Sequence, residues 1–202
     1  MRPPYQFAEL PVLHGAAVAR LTDEEFYELC QANPTLNFER NAQQEIIIMP
    51  SSHPDSDESV SKASYQLQHW NLNQQPAPGH GYGPSAGFKL PDGSLRAPGV
   101  SWLSEAARAV ARQAGGFLAA CPEFVIEIKS PSDRLSDLQA KMEEYLKNGV
   151  QLGFLLDVTA ETAYVYRLGQ PAETVRGYDQ ELSGEPVLPG FHLNLRLLRR
   201  AA

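Results

Sequence analysis

The clearest alternation of apolar and polar positions lies at residues 124–129, which read Phe-Val-Ile-Glu-Ile-Lys. This run predicts a strand, because successive side chains of a strand point to opposite faces. Glu127 and Lys129 would then share one face with Val125. A carboxylate and an ammonium on a largely apolar strand need a chemical reason. One reason is a metal-dependent phosphodiester-cleaving site, in which the acid holds a divalent cation and the lysine orients or activates the attacking water.

The next periodic segment, residues 135–148, predicts a helix that Gly149 closes. Its apolar positions form one stripe at about 100° per residue, and Lys141 falls at the edge of that stripe. Because the helix directly follows the strand, we expect it to fold back along the strand and bring Lys141 near Glu127. A second interpretation stays open, in which Lys129 and Lys141 both extend their ammonium groups to solvent.

The rest of the pattern predicts helices and antiparallel hairpins before this unit and further strands after it. Thr22 and Glu25 form a capping box at the start of a helix, and apolar residues at helical spacing predict another helix over 59–72. The remaining expected elements are strands at 36–40, 45–49, 87–90, 94–103, 152–157 and 163–167, and a short helix at 105–113. This order predicts an α+β fold, a mixed β-sheet flanked by helices with antiparallel N-terminal hairpins. We expect one domain, residues 21–202, after an N-terminal extension, residues 1–20.

Length, cysteine content and charge exclude several classes of protein. A chain of 202 residues fits one domain. Cys30 and Cys121 form no CxxC pair, which argues against a disulfide framework and a structural zinc site. With no apolar stretch near the roughly 20 residues of a membrane span and no secretory signal, the sequence predicts a cytoplasmic protein. The net charge of -7 disfavours a broad basic surface for nucleic acid, although a local patch could still hold phosphates.

Five segments, in this order along the chain, carry a resemblance to a known family. They are residues 45–50, 87–93, 121–133, 138–142 and 182–191. Together they resemble the Uma family of putative restriction endonucleases, of the PD-(D/E)xK nuclease superfamily. The resemblance implies a restriction-endonuclease-like fold, Mg²⁺ or Mn²⁺ as cofactor and DNA as partner. By analogy with nucleases that cut two strands, it also implies a homodimer.

The resemblance also implies roles for individual residues. Glu127 and Lys129 match the second half of the nuclease motif, as metal ligand and as the residue that orients water. Lys141 matches a helix lysine that supports them. Glu39 resembles an upstream acidic position of the family, so the metal ligands would be Glu39, Glu127 and the Ile128 carbonyl. Glu39 could equally be a surface residue of its strand.

The first half of the nuclease motif is absent. Where the family has Pro-Asp, this chain reads Pro98-Gly99, so glycine stands at the metal-binding position. Glycine offers no side-chain oxygen, whereas Mg²⁺ in such sites is held by one or two carboxylates with water and phosphate. We expect Glu127, Lys129 and Lys141 to converge in one pocket facing Gly99. Two main functions follow: an impaired Mg²⁺-dependent endonuclease-fold protein acting on DNA, or a catalytically inactive nucleic-acid-binding or protein-interaction module. A purely structural oligomer, formed by self-pairing of the hairpin edges, stays open as a third.

Overall fold

The structure is a computed structural model that describes residues 10–50 and 53–199. Its α-helices within these ranges are α1 (Asp23–Ala32), α2 (Pro54–Asn73), α3 (Glu105–Val110) and α4 (Leu135–Asn148). The strands are β1 (Val12–Leu13), β2 (Asn37–Arg40), β3 (Ile46–Met49), β4 (Gly79–Tyr82), β5 (Phe88–Lys89), β6 (Leu95–Arg96), β7 (Val100–Ser104), β8 (Arg112–Ala114), β9 (Phe117–Ala119), β10 (Phe124–Ile128), β11 (Leu152–Asp157), β12 (Thr162–Arg167), β13 (Glu173–Arg176), β14 (Glu181–Ser183) and β15 (His192–Asn194).

Most strands belong to two sheets. The first sheet has the order β1-β3-β2-β6-β5-β9-β8, and the central sheet has the order β13-β12-β11-β10-β7-β4. Strands β10 and β11 run parallel, whereas β10 pairs antiparallel with β7 on its other side. A parallel pair needs a long crossover, and α4 provides it. This mixed sheet flanked by helices confirms the predicted fold class.

Strand β10 is buried on both faces, as expected for a central strand. On one face, Ile126 belongs to a large apolar cluster with Leu67 of α2. On the other face, Val125 packs in a second apolar cluster with Met142 of α4. The central sheet therefore lies between α2 and α4, and Glu127 points to the α4 side because it follows Val125 by two residues.

Helix α1 begins where its local signal predicts, whereas α2 begins earlier than predicted. Thr22 and Glu25 make both hydrogen bonds of the predicted capping box. Helix α2 begins at Pro54, before the predicted position 59. In the described ranges, no helix combines the length and the apolar character that a membrane span requires.

The largest departure from the predicted elements lies at residues 94–103. The single expected strand is in fact two strands, because Pro98 and Gly99 separate β6 of the first sheet from β7 of the central sheet. Strands β8 and β9 were also not predicted. In the expected N-terminal extension, Val12 pairs with Ile47, so β1 forms an edge of the first sheet. The segment between β6 and β7 therefore takes the chain from the first sheet to the central sheet.

Candidate active site

Two strands and α4 bring three charged side chains together. Glu39 of β2 is 3% exposed and Glu127 of β10 is 7% exposed. The Lys141 ammonium lies 2.8 Å from Glu39 Oε1 and 2.8 Å from Glu127 Oε1. The expectation that α4 would bring Lys141 near Glu127 is therefore confirmed, and its alternative, an ammonium in solvent, is excluded. Glu39 lies in the interior and not on the surface of its strand.

Helical spacing explains why Lys141 and Tyr145 both face β10. Residues four apart lie on the same face of a helix, and both side chains contact the one carboxylate that β10 directs toward α4. The Tyr145 hydroxyl donates a hydrogen bond of 3.0 Å to Glu127 Oε1. The Lys141 ammonium also lies 5.7 Å from the centroid of the Tyr145 ring. The Glu127 carboxylate is thus fixed by two donors from one turn of α4.

Arg96 of β6 completes the group, and sequence reasoning missed it. Its guanidinium donates to Glu39 Oε2 at 2.9 Å and makes two hydrogen bonds of 2.7 Å to the carboxylate of Glu144. The backbone N–H of Ala97 donates to Glu39 Oε1 at 3.0 Å. No local pattern in the sequence links Arg96 to α4. We call Glu39, Arg96, Glu127, Lys141 and Glu144 the ion-pair cluster.

The pKa values of the two carboxyl groups that contact Lys141 are shifted in opposite directions. Burial raises the pKa of Glu39, but the charges of Lys141 and Arg96 outweigh burial and lower it overall. The pKa of Glu127 is raised, because burial and the charge of Glu39 outweigh the attraction of Lys141. Burial acts to lower the pKa of Lys141, but the two carboxylates raise it to about 12. Lys141 is therefore an ammonium at neutral pH and a hydrogen-bond donor, not a base.

Lys129 makes its contacts with residues outside the ion-pair cluster, and its convergence with Glu127 and Lys141 in one pocket stays a prediction. Its ammonium lies 3.3 Å from the Ser130 carbonyl oxygen and 3.8 Å from Asp157 Oδ2. The backbone N–H of Lys129 donates to the Leu156 carbonyl oxygen, so the ladder between β10 and β11 continues to Lys129 and places it beside Asp157. Asp157 ends the parallel neighbour β11 and offers a nearer opposite charge.

Ile128 and Gly99 both lie near Glu127, Ile128 at the end of β10 and Gly99 just before β7. The Ile128 side chain belongs to the apolar cluster on the α2 side, and a ligand role for its carbonyl stays a prediction. Val100 lies opposite Ile126 in the antiparallel ladder, so continuing this register by one residue places Gly99 opposite Glu127. A Cβ at position 99 would lie 3.1 Å from the Ile126 carbonyl oxygen and 3.6 Å from Val60 Cγ2. A side chain there is therefore tight, but it requires a shift of only a few tenths of an ångström.

A cavity of about 390 Å³ opens onto one side of the ion-pair cluster. Glu39, Arg96, Lys141 and Glu144 line it, and the strand β3 contributes an apolar wall. The other lining residues are Leu10, Val12, Ile47, Met49, Ser132, Asp133, Arg134, Asp137, Leu138 and Ala140. Glu127 does not line this cavity, whereas Lys141, which contacts Glu127, does.

The residues present do not fit a bound divalent cation. Glu39 accepts hydrogen bonds from Lys141, Arg96 and the Ala97 backbone, so both of its oxygens are engaged. Oε1 of Glu127 lies within hydrogen-bond distance of Lys141 and Tyr145. Within residues 10–50 and 53–199, no group of three or more His, Cys, Asp or Glu side chains is arranged to hold a metal ion. The expected Mg²⁺ or Mn²⁺ therefore has no ready set of ligands.

Comparison with known proteins decides the family. Residues 23–196 match the profile of the Uma2 family, described as "Putative restriction endonuclease". The chain belongs to the Uma2 family. This match covers nearly all of the chain and confirms the resemblance on which the sequence analysis relied. The comparison with curated proteins found no match.

A solved structure shows the same fold. It is described as a "putative nuclease belonging to DUF820" from Anabaena variabilis ATCC 29413. The two structures superpose with a TM-score of 0.73 at 21% sequence identity, over 88% of this chain and 97% of that chain. At this identity the likeness establishes the fold, and the Uma2 protein therefore has a nuclease-like fold.

Proposed function

We propose that this Uma2 protein is an endonuclease-fold protein that acts on DNA, and that Gly99 impairs cleavage of the phosphodiester. Two points support the proposal: the register of β10 and β7, continued by one residue beyond Ile126 and Val100, brings Gly99 beside Glu127, and the nuclease motif that the chain resembles has an aspartate where this sequence has Gly99. Glu127 shares the Lys141 ammonium with Glu39 instead. The family supports the choice of DNA as the partner.

The ion-pair cluster supports one half of phosphodiester hydrolysis better than the other. Hydrolysis needs stabilisation of negative charge on the phosphate and activation of a water molecule. The Lys141 ammonium lines the cavity and can donate hydrogen bonds to a phosphate oxygen. Activation of water lacks a suitable group, because Lys141 is protonated and Glu39 is fully engaged by donors. The arrangement therefore offers a donor for a phosphate oxygen but no group that activates water.

A cleavage assay on supercoiled plasmid with Mg²⁺ or Mn²⁺ tests the proposal. We expect no measurable nicking by the native chain and a clear gain in Gly99→Asp. Gly99→Asn is the matched control, since it meets the same crowding at the Ile126 carbonyl without adding a charge. The gain should disappear in Gly99→Asp combined with Glu127→Ala. Robust cutting by the native chain that Glu127→Ala abolishes would contradict the proposal.

A catalytically inactive module is the second candidate, and two observations favour it. The net charge is -7, and the carboxylates of the ion-pair cluster are already paired with Arg96 and Lys141. Binding to duplex DNA at low salt, where phosphate contacts are strongest, distinguishes the versions of this candidate. Retained binding without cleavage supports a nucleic-acid-binding module. Absent binding would leave a protein-interaction module, and light scattering would then test the predicted homodimer.

A further inference from the structure

A single ammonium lies between two buried carboxylates that come from different sheets. Lys141 Nζ is 2.8 Å from an oxygen of Glu39 and 2.8 Å from an oxygen of Glu127. The Lys141 side chain is only 10% exposed. Lysine is rarely buried unless it is paired, and here it is paired twice. The position between the two acids is therefore already filled by a positive charge.

The charge balance of the ion-pair cluster makes this ammonium indispensable to Glu127. The cluster has three carboxylates and two cations, and Arg96 serves Glu39 and Glu144. Within the cluster, Lys141 is the cation that contacts Glu127. The other hydrogen-bond donor to Glu127 is the Tyr145 hydroxyl, which is neutral. Without Lys141, two buried carboxylates would face each other with only the guanidinium on the far side of Glu39. An unpaired buried charge is costly, so such a site would take up another cation or a proton.

We infer that the Lys141 ammonium is the resident cation of this site and occupies the place between Glu39 and Glu127 that a divalent metal ion would need. The native protein accordingly folds and keeps its two acids in place without metal. Mg²⁺ requires close to octahedral oxygen ligation at about 2.0–2.1 Å, whereas the present oxygens are arranged around an N–H donor. This inference concerns metal binding by the native chain, whereas the plasmid assay measures a gain of cleavage in Gly99→Asp, so the two proposals can fail separately.

The inference predicts that removing the ammonium exposes a latent metal site. In a thermal unfolding experiment at pH 7, 1 mM Mn²⁺ or Mg²⁺ should change the Tm of the native chain by less than about 1 °C. Lys141→Met keeps the apolar stem and removes the charge. Its Tm without metal should fall by roughly 10 °C, since one partner of a buried pair is lost. Mn²⁺ should then raise the Tm by roughly 5 °C in a saturable manner.

Two control variants assign the Mn²⁺ response to the proposed position. Lys129→Met removes a lysine that pairs with Asp157 outside the ion-pair cluster, and it should show no more Mn²⁺ response than the native chain. Lys141→Met combined with Glu39→Gln retains only one of the two acids and should lose the Mn²⁺ response. A response that persists in this double variant would overturn the inference, because the metal would then bind elsewhere.

Calorimetric titration of the native chain with Mn²⁺ keeps the inference testable even if Lys141→Met does not fold. We expect no saturable binding below about 1 mM. Binding that Glu127→Gln abolishes would overturn the inference, because a metal ion and Lys141 would then occupy the site together. A folded Lys141→Met protein without any Mn²⁺ response would also overturn it, since the space between the acids would not accept a divalent ion.

Discussion

The two faces of strand β10 stabilise the protein by different means. On the α2 face, Phe124 and Ile126 are fully buried in an apolar cluster that includes Phe154 and Phe191. On the α4 face, Val125 is followed by Glu127, whose partners are charged or polar. Burial of apolar surface stabilises without directional requirements. Buried charges are tolerated only where partners of opposite charge are placed correctly.

This difference separates the determinants of the fold from those of the site. The apolar face depends on residue type and volume, so it does not require the charged partners that the α4 face needs. The α4 face depends on charges that arrive from distant segments, namely Glu39 on β2 and Arg96 on β6. A nuclease-like fold can therefore persist after a catalytic carboxylate is lost.

The largest expected effect belongs to the apolar face. Phe124→Ala should lower the free energy of unfolding by about 4 kcal/mol, because it leaves a cavity beside Phe154 and Phe191. Urea unfolding followed by circular dichroism measures this loss. We expect it to be unaffected by Mg²⁺ or Mn²⁺. A loss below about 1 kcal/mol would show that the α2 face does not dominate stability.

A slightly smaller effect is expected on the charged face. Glu39→Gln keeps the shape of the side chain but leaves Lys141 and Arg96 with one carboxylate fewer. Breaking a buried pair should cost about 3 kcal/mol, again measured by urea unfolding. Glu24→Gln, at an exposed acid on α1, is the control and should stay within about 0.5 kcal/mol. Equal effects of the two substitutions would contradict the described burial of Glu39.

The pH dependence of these costs should differ in sign between the two acids. The pKa of Glu39 is lowered from 4.5, so its stabilisation is complete above that value and is lost as pH falls through the folded pKa. The pKa of Glu127 is raised from 4.5, so its contribution is present below that value and is lost as pH rises. From pH 4 to pH 7, the cost of Glu39→Gln should therefore grow and the cost of Glu127→Gln should shrink. If urea unfolding showed both costs changing in the same direction with pH, the opposite pKa shifts of the two acids would be refuted.

The smallest effect is expected for Lys129. Its ammonium lies 3.8 Å from Asp157 Oδ2, near the end of β10. Lys129→Met should change the free energy of unfolding by less than about 1 kcal/mol. The same substitution at Lys141 should cost several times more, because that lysine is paired twice. Similar losses for the two lysines in urea unfolding would remove the contrast between their positions.

The sequence predicted contacts correctly where the two residues lie on elements that follow each other directly in the chain. The alternation around Glu127 and the periodicity around Lys141 predicted neighbouring elements, and the crossover between parallel strands brings their side chains together. The capping box at Thr22 was equally local. The α+β class followed from the order of these elements.

The rest of the site depends on long-range pairs that leave no local pattern. Arg96 and Glu144 are separated by 48 positions, and Glu39 and Lys141 by 102. Glu39 was named only through the family resemblance, and Arg96 was hidden in a segment expected to be one strand. The convergence of Lys129 with Glu127 and Lys141 stays a prediction, because the contacts of Lys129 are with Ser130 and Asp157.

Anomalous diffraction from crystals soaked in Mn²⁺ tests most directly whether Lys141 holds the position between Glu39 and Glu127. The account predicts that the native crystals show the Lys141 ammonium between the two carboxylates and no anomalous peak there. A Mn²⁺ peak coordinated by both acids, with the lysine displaced, would contradict it.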